Sequence, residues 1–183
     1  MDVGPLDMNA LDAFSRTFAE LLFVSHPDWV KCATGEREAS DPYEYLSVVI
    51  PGESQADLKD PLWITTEQNG VTVGIDTYHQ HFNDWSSGVD STDALGVHRA
   101  ALKFVEEIIA EEIAVVSIWS NDMNAGAWCE PKDRAMSMTA KDVAAGISGS
   151  SVWTPLPDRP VTSSFLRIRS WKGSLNRELP LPS

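Results

Sequence analysis

The sequence predicts an α+β fold, with an antiparallel sheet of about five strands and two main helices packed on it. Three observations carry this reading. Short apolar-rich segments over 45–50, 62–67 and 71–78 have strand length, and the last alternates with period two. Asn69-Gly70 lies between two of them and marks a tight hairpin. Two longer segments, 9–24 and 93–112, repeat their apolar residues with the helical period.

The elements follow in chain order. Over 9–24, Leu11, Phe14, Phe18, Leu21 and Leu22 fall within about a third of a turn, the arc of a core-facing stripe. Asp7 or Asn9 can cap its start, and His26-Pro27 ends it, because the residue before a proline avoids the helical region. The polar run 31–42 reads as a loop. The strand at 45–50 is closed by Pro51-Gly52. Strands 62–67 and 71–78 flank Asn69-Gly70, with both turn residues expected at positive φ. Residues 83–90, with Ser86-Ser87-Gly88, read as a loop.

Ser91 or Thr92 is placed to cap the helix over 93–112. Its apolar arc runs over about half the circumference, so it should lie across the sheet. Glu106, Glu107 and Glu111 fall on the solvated side, and Glu112 turns toward the apolar side. The apolar run 114–119 reads as a buried strand, 122–126 as a turn and 139–145 as a short helix. Residues 146–163 are rich in Gly, Ser and Pro and read as a loop or linker within one domain spanning 1–183. A last hairpin is expected from 164–171 and 175–179 around Lys172-Gly173.

Charge narrows the function. The formal net charge is −13, and a general nucleic-acid binder needs clustered cations instead. Residues 1–130 hold 23 acids against 6 Lys and Arg, a net of −17; residues 131–183 hold 4 acids against 8, a net of +4. The basic tail can pack on the acidic body, or the acidic part can be kept for a basic partner. Cys32 and Cys129 form no CxxC pair and suit a reducing compartment. The N-terminal residues are acidic where a signal peptide is basic, and the most apolar run is seven residues, against about 20 for a membrane span. A cytoplasmic protein without membrane association is expected.

No Walker loop, GxGxxG, HExxH, GxSxG or DxDxDG sequence is present. No catalytic residue and no cofactor are expected. His79 and His81 are two apart on an extended segment, so their rings share one face. The expectation is a structural pair that hydrogen-bonds to nearby carboxylates or backbone. The alternative is a metal pair, with Asp76, Asp84 or His26 as a third ligand, serving a metal-dependent hydrolase. His98, inside the apolar arc, reads as a core histidine with one nitrogen satisfied. Cys129 has no cation or histidine beside it to make it nucleophilic. Among seven Trp residues, Trp85 in an acidic loop and Trp153 in a Pro-rich one are the hardest to bury. Aromatics among acids on a loop suit an interface for a basic partner, so Asp76, Asp84, Trp85 and Asp90 are the expected contacts.

The run Gly70-Val71-Thr72-Val73-Gly74-Ile75-Asp76-Thr77-Tyr78-His79-Gln80-His81-Phe82, just after Pro61-Leu62-Trp63-Ile64-Thr65-Thr66-Glu67, resembles a hairpin of small acidic bacterial proteins. Some of those are thought to be immunity proteins of polymorphic-toxin, contact-dependent inhibition or type VI effector systems. In them a Val-Thr hairpin ending in His-x-His-Phe recurs. The likeness covers about 25 of 183 residues and says nothing of 120–183. It implies a non-catalytic protein that binds one cognate toxin and blocks it; a basic, nuclease-like toxin would suit the acidity. A structural or adaptor domain without such a partner is the remaining alternative.

Overall fold

In a computed structural model, residues 6–37, 42–53, 56–120, 123–139 and 164–181 are described. They fall into two compact units, and the fold is α+β with two antiparallel sheets. The first unit takes in Met1–Pro51, Pro61–Ile75 and His79–Glu106; the second takes in Gly52–Asp60, Asp76–Tyr78 and Glu107–Ser183.

The first sheet is a meander of five strands in sequence order: β1 (Ala33–Glu36), β2 (Tyr45–Ile50), β3 (Leu62–Glu67), β4 (Gly70–Ile75) and β5 (Tyr78–Phe82). Its inner face carries Leu46, Val48, Leu62, Ile64, Val71 and Val73, all buried. Each such side chain contributes about 1.5–3 kcal/mol on leaving water. Helix α1 (Ala13–Ser25) adds buried Phe18, Ala19 and Leu22. Helix α2 (Gly96–Ile109) adds Val97, Ala101 and Val105, and its Phe104 meets Phe82 of β5 with ring centroids 5.5 Å apart. Phe104 is the part of the broad apolar arc seen to reach this sheet, while His98 of the same arc packs on Phe14 and Phe18 of α1.

Several boundaries differ from the sequence reading, each for a local reason. Helix α1 starts at Ala13, not at Asn9, because Asp12 is the cap: its carboxylate accepts from Ser15 N at 2.9 Å and Ser15 Oγ at 2.7 Å. Leu11, just before it, bridges to Glu44 instead. The supposed loop 31–42 takes in the end of a 3₁₀ turn over Pro27–Cys32 and the edge strand β1, with Ala33 opposite Val48. The hairpin at 69–70 exists, but Glu67 pairs with Gly70, so the turn residues are Gln68 and Asn69. Only Asn69 has positive φ, at 99°. The segment 71–78 is not one strand: Asp76, with φ 54°, and Thr77 turn the chain into β5.

The start of α2 is delayed because Thr92 donates its hydroxyl and backbone N–H to Asp90 rather than capping a helix. Its end comes early, with Glu111 at φ 55°. The reversed chain buries Glu111 and exposes Glu112, opposite to the helical-wheel expectation.

The second unit is built on β6 (Ile113–Ser120), β7 (Met123–Pro131), β8 (Ser164–Arg169) and β9 (Arg177–Pro180), in the order β7-β6-β8-β9. Residues 123–126 belong to β7 rather than to a turn. Its core gathers Ala114, Val116, Ile118, Leu166, Ile168 and Leu175, with Ala135 and Met138 from and beside the short helix α3 (Lys132–Ser137). The expected last hairpin is present, with Gly173 at φ 80°. The expectations for 140–145 and 146–163, including Trp153, lie outside the described residues.

Candidate functional site

The loop after β5 is built by short polar side chains that replace backbone partners. Asn83 N donates to Ser86 Oγ at 3.0 Å, Ser86 N to Asn83 O at 2.9 Å, and Trp85 N to Asn83 Oδ1 at 3.0 Å. Ser86 Oγ also reaches His81 O at 3.0 Å, which ties the loop to the end of β5. This closed turn leaves the Trp85 side chain 94% exposed instead of folding it onto the sheet. Asp84 beside it is exposed, and among the described residues it enters no ion pair.

Asp90 ends the same loop and is exposed. The Thr92 hydroxyl, at 2.6 Å, and the Thr92 N–H, at 2.9 Å, hold its carboxyl below the usual carboxylate range. Its backbone carbonyl lies so close to Gly96 that a Cβ there would overlap it, so glycine is needed where the loop meets α2. The neighbouring Arg99 pairs with Asp93 at 2.6 Å, which leaves Asp84 and Asp90 as uncompensated surface charges among the described residues.

Asp76 does not belong to this surface. It is only 3% exposed, and its carboxylate accepts from Lys59 N at 2.7 Å and Thr77 Oγ1 at 3.2 Å. A carboxylate enclosed in this way shapes its own turn and has no face to offer a partner, so the sequence expectation for Asp76 is corrected.

The outer face of the five-stranded sheet holds a second group. The register places Trp63 opposite Gly74 and Thr65 opposite Thr72. A Cβ on Gly74 would overlap the Trp63 indole, so the ring lies across the backbone of β4. Val49, opposite Trp63 on β2, is 46% exposed. On β5, His79 and His81 are both exposed. Their rings meet edge to face, with centroids 4.9 Å apart and planes at 82°. His81 Nδ1 is 2.8 Å from Thr72 Oγ1, and the His79 ring is 6.2 Å from that of Trp63. The two histidines therefore share a face as expected; their described side-chain neighbours are a hydroxyl and rings, where carboxylates or backbone were expected. Nothing in the sequence pattern singled out Trp63, whose place beside the pair comes from the strand register.

The remaining candidates have local roles. His26 Nε2 pairs with Glu106 Oε1 at 2.8 Å, and its ring stacks on Trp29. His98 is 4% exposed between Phe14 and Phe18; Nε2 meets the Phe14 carbonyl at 3.2 Å and Nδ1 has no partner. Burial holds its pKa below the usual imidazole value, although the Phe14 carbonyl acts the other way. This is the core histidine with one satisfied nitrogen that the helical phase implied. Burial, then the Glu130 and Glu107 charges, push the Cys129 thiol up to about 12, so it is no nucleophile at neutral pH. Among the described residues, no group of three or more His, Cys, Asp and Glu is placed to hold a metal ion. No described helix is long and apolar enough to cross a membrane.

Compared with protein-family models, with curated proteins and with solved structures, the chain matches none.

Proposed function

We propose that the chain is a non-catalytic inhibitor, an immunity protein that binds and neutralises one cognate toxin with a basic, nuclease-like cleft. The observation that carries this reading is Trp85, 94% exposed on a loop closed by its own hydrogen bonds and flanked by exposed Asp84 and Asp90. Holding a large aromatic in water has no benefit to folding, whereas a pre-ordered aromatic loses little entropy on docking. Aromatic anchors carry a large share of interface energy. The net of −17 over residues 1–130 supports a basic partner, since such a field speeds encounter by about 10–10³-fold. The likeness of the hairpin over 70–82 to immunity proteins points the same way. Cytoplasmic action, beside a toxin's target, belongs to this reading.

The test is stopped-flow binding to the toxin domain encoded beside the gene, across a salt series. Trp85→Ala should speed dissociation about 30-fold or more, as loss of an anchor worth about 2 kcal/mol requires. Asp84→Lys with Asp90→Lys should slow association, and the difference from wild type should fade as salt shortens the Debye length to roughly 8 Å and below. An on-rate flat in salt with silent charge reversals would remove the electrostatic part. Absence of binding to the neighbouring toxin would remove the inhibitor reading.

A further inference from the structure

The His79 and His81 rings stand two residues apart on β5 with centroids 4.9 Å apart, close enough for one ion to reach both. Both rings project from a hydrogen-bonded strand, on the same face and exposed to solvent. A metal–imidazole bond of about 2.0–2.1 Å puts a shared ion about 3.2 Å from each ring centroid, so with one nitrogen of each ring turned to that ion the 4.9 Å centroid spacing corresponds to about 100° there. That lies between the square and the tetrahedral angle. Thr72 Oγ1 lies 2.8 Å from His81 Nδ1 and orients the ring; in the tautomer that donates from Nδ1 to this hydroxyl, the lone pair stands on Nε2 and is free for an ion. The edge-to-face contact and the nearby Trp63 ring limit the rotation of His79.

We propose that His79 and His81 form a two-imidazole chelate for a divalent transition-metal ion of the nickel, copper and zinc class, with Thr72 as the positioning residue. Imidazole suits these ions, whereas magnesium and calcium prefer oxygen donors. Because no third His, Cys, Asp or Glu groups with the pair among the described residues, the ion keeps open positions for water or for a donor from another molecule. The site is independent of the toxin reading: its residues lie on the sheet face, and the anchor proposed above lies on the loop.

The test is calorimetric titration of tag-free protein with Ni²⁺, followed by electron paramagnetic resonance with Cu²⁺. The wild-type chain should take one ion, and Cu²⁺ should show coupling to two nitrogens. His79→Ala and His81→Ala should each weaken binding tenfold or more, and the double variant should abolish it. Thr72→Val should weaken it about tenfold with stoichiometry unchanged, the effect expected for loss of a supporting hydrogen bond. His26→Ala should bind as wild type does. Circular dichroism checks that each variant is folded, as the exposed positions of His79 and His81 and the near-equal volumes of Thr and Val at buried Thr72 should allow. A double variant that binds like wild type, no uptake by wild type, or a Cu²⁺ signal without two coupled nitrogens would overturn the proposal.

Discussion

Glu111 is the side chain on which the second unit's last hairpin depends. It sits just past the end of α2 and is 7% exposed. Its Oε1 accepts from Ser170 Oγ at 2.5 Å, Lys172 N at 2.9 Å and Ser174 N at 3.3 Å; Oε2 accepts from Ser174 Oγ at 2.5 Å. Burial alone would raise the carboxyl pKa. The Ser170 and Ser174 hydroxyls, with the Lys172 and Ser174 N–H groups, outweigh it and hold the group below its usual value. Glu111→Ala leaves these four donors facing a void. Hydrogen bonds to charged groups contribute about 1.5–3 kcal/mol each, but four donors sharing one acceptor do not add, so the expected loss is about 3–5 kcal/mol. Two hydroxyls can rotate away and the amides cannot, so the Lys172 and Ser174 amides should lose most of their hydrogen-exchange protection. Glu111→Gly separates backbone from side chain, because it relieves the φ of 55° while removing the same acceptor. The sign with pH is definite. A carboxyl whose folded pKa lies below its unfolded value stabilises above the unfolded value and loses that contribution as pH falls through the folded one. Urea unfolding should therefore show the gap between wild type and Glu111→Ala narrowing in acid. A Glu111→Ala midpoint within about 0.5 kcal/mol of wild type at pH 7, with both amides still protected, would refute the reasoning.

Three further outcomes are expected. Gly74→Val should cost about 1–3 kcal/mol or more by displacing the Trp63 indole, and should shift tryptophan fluorescence; Gly74→Val combined with Trp63→Ala should recover part of that loss in a double-mutant cycle. His98 has its folded pKa lowered, so its neutral form favours the fold above the unfolded value of about 6.5, and acid removes this contribution; the stability of His98→Leu relative to wild type should rise from pH 7.5 to pH 5, and parallel pH curves would count against the buried neutral imidazole. Cys129 should resist iodoacetamide at pH 8 in the folded chain and react once urea unfolds it, as mass spectrometry of the labelled peptide would show.

What the sequence disclosed depended on how much of each element was specified locally. Strands β2 and β3 were legible to the residue because aliphatic residues fill most of their buried positions, Leu46, Val48, Ile50, Leu62 and Ile64, and turn residues bound them. Strand β1 was not, because only Ala33 of its four residues is buried and pairing with β2 supplies the rest. Strand β7 was not legible at its start, because Asn124 and Gly126 read as turn residues and its first three side chains are exposed, so no buried alternation marks it. Asp76 looked like a surface acid because nothing in its neighbours reveals a positive φ, whose partner, Lys59, lies 17 residues away. The Glu111 cluster draws on residues 59 to 63 positions further on, beyond any periodicity argument. The Trp63–Gly74 contact, by contrast, was within reach: once the turn sets 67 opposite 70, counting back puts 63 opposite 74.

The same distinction governs the two surfaces to which a role is assigned. The loop carrying Trp85 was visible in the sequence because its Asn, Ser and Gly residues specify a turn without outside help. The structure adds only that the indole is left in water. The histidine pair was visible as a spacing, but its meaning depends on Thr72, nine residues earlier on the adjoining strand, which fixes one ring. Ser86 Oγ on His81 O is the one described hydrogen bond joining loop and pair, and it acts through a backbone carbonyl. Truncating Trp85 therefore removes a side chain that does not touch the imidazoles, and truncating the imidazoles leaves that carbonyl in place. A defect in toxin binding and a defect in metal binding can thus be separated in one set of variants, and failure of either proposal leaves the other standing on its own observation.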